Sequence, residues 1–168
     1  MIFKALIKNF GVLESLIILS LVYVLSMLIW TASTRSSVEA KANSIKENHI
    51  KIVNFLNNEI SKCSQKPDSN TPWNEPCNSN WKSQTIVNFL INNLALKNPY
   101  NNQAPLIQSV SDPRTQAEGK AGQSTDKGII FISSSDFSFE PGSEWIIGTC
   151  IKSPCVAAGN NELVSIYR

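Results

Sequence analysis

Few side chains in this sequence could do chemistry. They are one histidine, His49, four cysteines, Cys63, Cys77, Cys150 and Cys155, and a carboxylate, Glu14, set in an apolar run. His49 falls in a helical pattern with no Ser or Cys beside it in a nucleophile motif, so it reads as a packing or surface residue rather than a base. The cysteines lack the paired C-x-x-C spacing of zinc sites. No Gly-rich phosphate loop occurs. Asp112, Asp126 and Asp136 are scattered through loop-like sequence, and nothing in their spacing asks for calcium. The expectation is a protein that is not an enzyme and that uses no cofactor and no metal. Four thiols in a small domain read instead as disulfides, and hence as an oxidising compartment.

The elements that would carry these residues begin with a long helix. An almost uncharged apolar run opens at Phe10 and lasts to Trp30, and no Pro or Gly interrupts the chain between Gly11 and Pro67. Val12 to Trp30 is nineteen residues, about 28 Å as a helix, close to the roughly 30 Å of a bilayer's hydrocarbon layer. Trp30 stands at the outer end, where an amphipathic ring is favoured. Lys4 and Lys8 before the span and Arg35 and Lys41 after it orient it only weakly. The cysteines break the tie, because all four follow the span. The short N-terminus is therefore expected in the cytoplasm and residues 35–168 outside it. A cleaved secretory signal with its cut near Thr31-Ala32-Ser33 is the competing reading. Glu14 near the start of the span either reaches the headgroups or serves a function, since ionisable groups are costly in lipid.

After the span, Val38, Ala42, Ile45, His49, Ile52, Val53, Leu56 and Ile60 form an amphipathic stripe over 38–60. Residues 61–82, with Pro67, Pro72 and Pro76, are turn chemistry bracketed by Cys63 and Cys77, which are expected to close the loop. Trp73 and Trp81 are expected to pin that loop to the core. Ser83 to Leu96 reads as a second helix with Ser83 as N-cap. The polar residues 101–126, with Gly119 and Gly122, read as an exposed loop. The last forty residues read as strands: 128–132, 135–139, 144–152 and 163–167. Cys150 to Cys155 reads as a disulfide-closed turn. Sequence leaves open the pairings of Cys63 or Cys77 with Cys150 or Cys155.

The segment Lys8-Asn9-Phe10-Gly11-Val12-Leu13-Glu14-Ser15-Leu16-Ile17 resembles the processing site of type IV pilins and pseudopilins. That family has a short basic leader, a cut before Phe or another apolar residue, a Glu four positions on, and a long apolar helix. The resemblance implies a leader over 1–9, a cut between Asn9 and Phe10 by a prepilin peptidase, and Glu14 as the assembly glutamate. Asn9 stands where the family nearly always has Gly, and the family's mid-span Pro is missing. Asn98-Pro99-Tyr100-Asn101 is similar to a turn that many pilins carry before their sheet. The fold implied is α+β: a long N-terminal helix over 10–60, transmembrane or filament core in 12–30, packed on a small antiparallel sheet in an extracytoplasmic domain over 61–168.

At 168 residues the chain has room for that helix plus one domain of roughly 100 residues. Its net charge of +2, with no basic stripe, gives no specific nucleic-acid site. The resemblance implies a structural subunit of an extracellular filament, a helical homopolymer held in the inner membrane before assembly. Its partners would be copies of itself, the prepilin peptidase and the pilus assembly machinery. In that filament Glu14 would pair with the Phe10 amine of a neighbour. The alternative, which Asn9 favours, is a monomeric membrane-anchored extracytoplasmic binding domain.

Overall fold

A computed structural model describes residues 11–118, 127–133 and 138–168. The chain divides into two units, Met1–Glu39 and Ala40–Arg168. Helix α1, Val12–Gln65, runs through both. It ends five residues beyond the stripe read from sequence, with Cys63 in its last turn.

In the first unit the apolar side chains of α1 are solvent-exposed, Leu16, Leu25 and Trp30 among them. Among the described residues this is the one helix long and apolar enough to cross a membrane. Its hydroxyls fold back on the helix's own carbonyls. Ser15 Oγ donates to Gly11 O (3.2 Å), Ser20 Oγ to Ile17 O (2.8 Å), Ser26 Oγ to Val22 O, Thr31 Oγ1 to Leu28 O (3.0 Å) and Thr34 Oγ1 to Trp30 O (3.1 Å). That internal bonding lets polar residues sit in a greasy helix without orphaned groups, the condition lipid imposes.

In the second unit α1 buries Ile45, His49, Ile52, Val53, Leu56 and Glu59 at helical spacing. These positions follow the stripe expected from sequence, with Ala42 and Ile60 partly buried against the core and Glu59 added to it, while Val38, in the first unit, is exposed. The stripe shares one core with helix α2, Ser83–Asn93, and with the strands. Those are β1 (Trp81–Lys82), β2 (Ile107–Ser109), β3 (Ile130–Ser133), β4 (Ser138–Phe139), β5 (Glu144–Cys150) and β6 (Asn161–Tyr167). β1 pairs with β4 antiparallel, Trp81 opposite Phe139. The main sheet runs β2-β3-β5-β6. Trp145, Ile147 and Thr149 of β5 are buried, and Ile166 of β6 lies in the same core.

The architecture is α+β, a long helix with a small four-stranded sheet, but the sheet is mixed rather than antiparallel. β2 and β3 run parallel, Ile107 opposite Ile130, while β3-β5 and β5-β6 are antiparallel. The parallel pair follows from the segment read as an exposed polar loop. It holds β2 and a helix, α3 (Pro113–Glu118), that make a crossover, which parallel neighbours require. Leu106, Ile107 and Ala117 from it are buried. Gly148 of β5 permits α3 to approach. A Cβ there would lie 2.8 Å from Ala117 Cβ, from Leu163 Cδ2 and from Pro113 O.

Helix α2 is shorter than expected and its N-cap is Lys82, not Ser83. Ser83 is buried inside the first turn, where its hydroxyl shares a 2.7 Å hydrogen bond with Ser109 Oγ of β2. The Asn98–Asn101 turn is a junction. Buried Asn98 donates through Nδ2 to Lys127 O (3.1 Å) and accepts through Oδ1 from the Tyr100 and Asn101 amides (2.9 and 3.3 Å). Tyr100 Oη donates to Ile151 O (2.6 Å).

Candidate functional site

The residues singled out by the sequence fall in separate places. Asn9, Phe10 and the leader 1–9 lie outside the described residues, as do Gly119, Gly122, Asp126, Asp136 and part of the expected 135–139 strand. Glu14 is described and sits in the first turn of α1. Its Oε2 accepts the Gly11 amide (2.9 Å), and the Ser15 amide donates to Gly11 O (3.1 Å). This is the back-reaching half of a capping box, with Gly11 in the cap position. A carboxylate there also faces the positive end of the helix dipole. The glutamate is therefore fixed against the backbone of the residue that follows Phe10. Above it the exposed face of α1 carries a shallow groove lined by Val22, Leu25, Ser26, Ile29, Trp30 and Ser33.

The cysteines pair with their chain neighbours. Cys63–Cys77 and Cys150–Cys155 are disulfides, with Cα atoms 5.1 and 5.2 Å apart. The first ties the end of α1 to the proline-rich loop. Trp73 and Trp81 of that loop meet edge to face at 4.9 Å, and Trp81 meets Trp145 at 5.5 Å. Arg168 lies over the Trp81 ring (3.6 Å) and donates to Phe139 O and Cys77 O. A cavity of about 240 Å³ beside this disulfide is lined by Glu59, Lys62, Lys66, Ser69, Asn70 and the two sulfurs' residues. Glu59 is buried and is paired with Lys62.

His49 is 3% exposed, and neither ring nitrogen has a hydrogen-bond partner among the described residues. Burial pushes its pKa down to about 4, against a smaller upward pull from Glu162. Asp112 caps α3. Its Oδ1 accepts the Arg114 and Thr115 amides (3.0 and 3.2 Å) and its Oδ2 accepts the Thr115 hydroxyl. Those bonds, the Thr115 hydroxyl first, lower its pKa. Among the described residues no cluster of His, Cys, Asp and Glu is arranged to hold a metal ion.

Glu59, Asn98 and Arg168 carry structural weight that sequence reasoning missed. Glu59 had one available signal, its place on the buried helical period with Leu56 and Cys63. Asn98 lies in the turn noted in the sequence, but its bond to Lys127 O spans 29 residues, and Arg168 acts through contacts 29 and 91 residues away that no local pattern announces. No known family, curated protein or solved structure matches this chain.

Proposed function

We propose that this chain is a structural subunit of a type IV pilus-like extracellular filament. It is held in the inner membrane by residues 12–30 before assembly and then joins copies of itself through the same helix. The observation that carries the reading is α1: a carboxylate fixed at its head, followed by an apolar surface left uncovered within the chain. Such a surface needs lipid or a partner to remove it from water. The resemblance of residues 8–17 to a prepilin processing site supplies the kind of partner. Glu14, held against the Gly11 amide, is positioned to meet the Phe10 amine of a neighbouring copy once the leader is removed. That pairing offsets the cost of desolvating both charges and sets axial register. The cystine-tied second unit faces outward, and no catalysis is assigned to it.

Asn9 favours a second reading, a monomeric membrane-anchored extracytoplasmic binding domain, because without cleavage Phe10 has no amine to offer. Two measurements decide between them. The mass of the native N-terminus should place it at Phe10. Electron microscopy of sheared surface material should show filaments that disappear when Val12 to Trp30 is replaced by a polyleucine-like span that still inserts. Lipid burial is indifferent to side-chain shape, whereas helix-on-helix packing is selective. Filaments made normally by the swapped chain would sink the structural reading. A wild-type chain beginning at Met1 and forming no filaments would establish the anchored domain.

A further inference from the structure

β6 ends the main sheet, with β5 as its one strand neighbour among the described residues. In an antiparallel pair, alternate residues turn both amide and carbonyl towards the neighbouring strand, and the residues between them turn both away. Bonds at the two ends of β6 fix which residues do which. The Ile151 amide donates to Asn160 O (2.8 Å) and the Arg168 amide to Ser143 O (3.3 Å), both on the register that sets Cys150 opposite Asn161 and Glu144 opposite Tyr167. Glu162, Val164 and Ile166 therefore bond to β5, while Asn161, Leu163, Ser165 and Tyr167 offer their amides and carbonyls at the open edge. Among the described residues nothing bonds to those edge groups. Open edges are commonly shielded by Lys, Pro or a bulge. β6 has none of these: Glu162 is its one charged residue, and its register with β5 is unbroken.

An apolar side chain lies beside this edge. α1 runs along β6 in the same direction. Lys46 Nζ meets Glu162 Oε1 at the start of the strand (3.1 Å), and Cys63 is bonded to Cys77, whose carbonyl receives Arg168 just past its end. Ile50 follows Lys46 by one turn and so lies on the same flank of α1. It is 55% exposed.

We propose that the open edge of β6 receives the β6 of a second copy of this chain, paired antiparallel about Val164. The sequence of the strand is what points to a second copy. With Val164 opposite Val164, Leu163 meets Ser165, Glu162 meets Ile166 and Asn161 meets Tyr167, so the whole strand is matched. Edge-facing residues then oppose edge-facing residues, and every outward amide meets a carbonyl of the other copy. No like charges are opposed, because each Glu162 faces an Ile166 and keeps its own Lys46. The exposed Ile50 of each copy lies beside the seam, where pairing covers it. Because α1 follows β6, the two α1 segments over 40–65 run in opposite directions. Copies standing side by side with α1 pointing the same way cannot make this contact. It joins opposed copies, and it does not rest on the filament reading, whose contacts run through residues 12–30.

The full chain in detergent micelles should dimerise at about 0.1 mM, measured by sedimentation in density-matched detergent. Ser165→Pro removes one outward amide and leaves every bond to β5 in place, since Pro is accepted where the N–H faces away from the ladder. Two interchain bonds are lost per dimer, each a factor of about 5, so dimerisation should weaken about 30-fold. Val164→Cys should form an interchain disulfide on mild oxidation. Opposed residues between the hydrogen-bonded pairs have Cα atoms about 4.5 Å apart, within reach of such a bond. Asn161→Cys should form none, because the two copies of that residue stand six positions apart along the strands, about 20 Å. Should Ser165→Pro fail to fold, cross-linking at 164 but not at 161 decides. The contact would be overturned by a monomeric wild-type chain, by a folded Ser165→Pro that dimerises as tightly as wild type, by no cross-link at 164, or by cross-linking at 161 as readily as at 164.

Discussion

Gly148→Ala tests the packing of α3 on the sheet. The new methyl would sit 2.8 Å from each of three atoms, Ala117 Cβ, Leu163 Cδ2 and Pro113 O. Comfortable carbon contacts lie at about 3.5–4.0 Å, so the two carbon contacts are short by at least about 0.7 Å, and the contact to Pro113 O is also too close. Leu163 is partly exposed and can turn away. Ala117 Cβ and Pro113 O cannot move without the backbone of α3. The helix must therefore lift from β5, loosening the packing of buried Ala117. Overpacking of this kind costs about 1–3 kcal/mol. Replacing a glycine returns about 0.4–1 kcal/mol by restricting the unfolded chain. The net expectation is a loss of about 1–2 kcal/mol, read from denaturant unfolding of the full chain in micelles by tryptophan fluorescence. Ala117→Gly removes one of the three clashes. In a double-mutant cycle the pair should be less destabilised than the sum of the singles by about 0.5–1 kcal/mol. A Gly148→Ala chain as stable as wild type, or a cycle with no coupling, would show that α3 does not rest on Gly148.

Further outcomes concern the head of α1 and the two disulfides. Glu14→Ala should leave membrane fractionation unchanged and reduce filament yield. Glu14→Gln, which keeps an acceptor for the Gly11 amide but not the charge, separates helix capping from the proposed pairing with Phe10, and assembly at wild-type yield in both variants would refute a register role. Non-reducing peptide mapping should recover Cys63–Cys77 and Cys150–Cys155, and a Cys63–Cys150 cross-link would refute the pairing. From loop length alone, removing the first bond by paired Ala substitutions should cost about 3 kcal/mol and removing the second about 2 kcal/mol, measured by equilibrium unfolding.

The long helix was legible because its evidence is local. An apolar run to Trp30, followed by a three- and four-residue stripe without Pro or Gly, has few alternatives as a fold. Its end at Gln65 was not, because Ser61, Lys62, Ser64 and Gln65 of the last turns add no apolar residue to the stripe. The 107–118 segment was misread for a related reason. Gln108, Ser109 and the polar residues of α3 outnumber Ile107, Pro113 and Ala117, the three that are buried. β2 is three residues long, and its parallel pairing depends on a crossover that no short window contains. Ser83 carries the right residue type for an N-cap, but Ser109 claims its hydroxyl, a tertiary contact overriding a local preference. The candidate site divides the same way. Glu14 was visible as a charge out of place, while the helix-capping bond that holds it is a matter of geometry.

The order of the cysteines along the chain also bears on how the protein reaches its oxidised state. Four cysteines permit three pairings. Here each bonds to the next one in sequence, at separations of 14 and 5. In a chain exported and oxidised as it is made, N-terminus first, Cys63 and Cys77 would meet an oxidant before Cys150 and Cys155. The first bond forms with no wrong partner in reach. The second then has only its own pair of thiols left. A Cys63–Cys150 bond would instead close a loop about six times longer, at an added entropic cost of about 1.6 kcal/mol. Sequence order and loop entropy thus favour the same pairing.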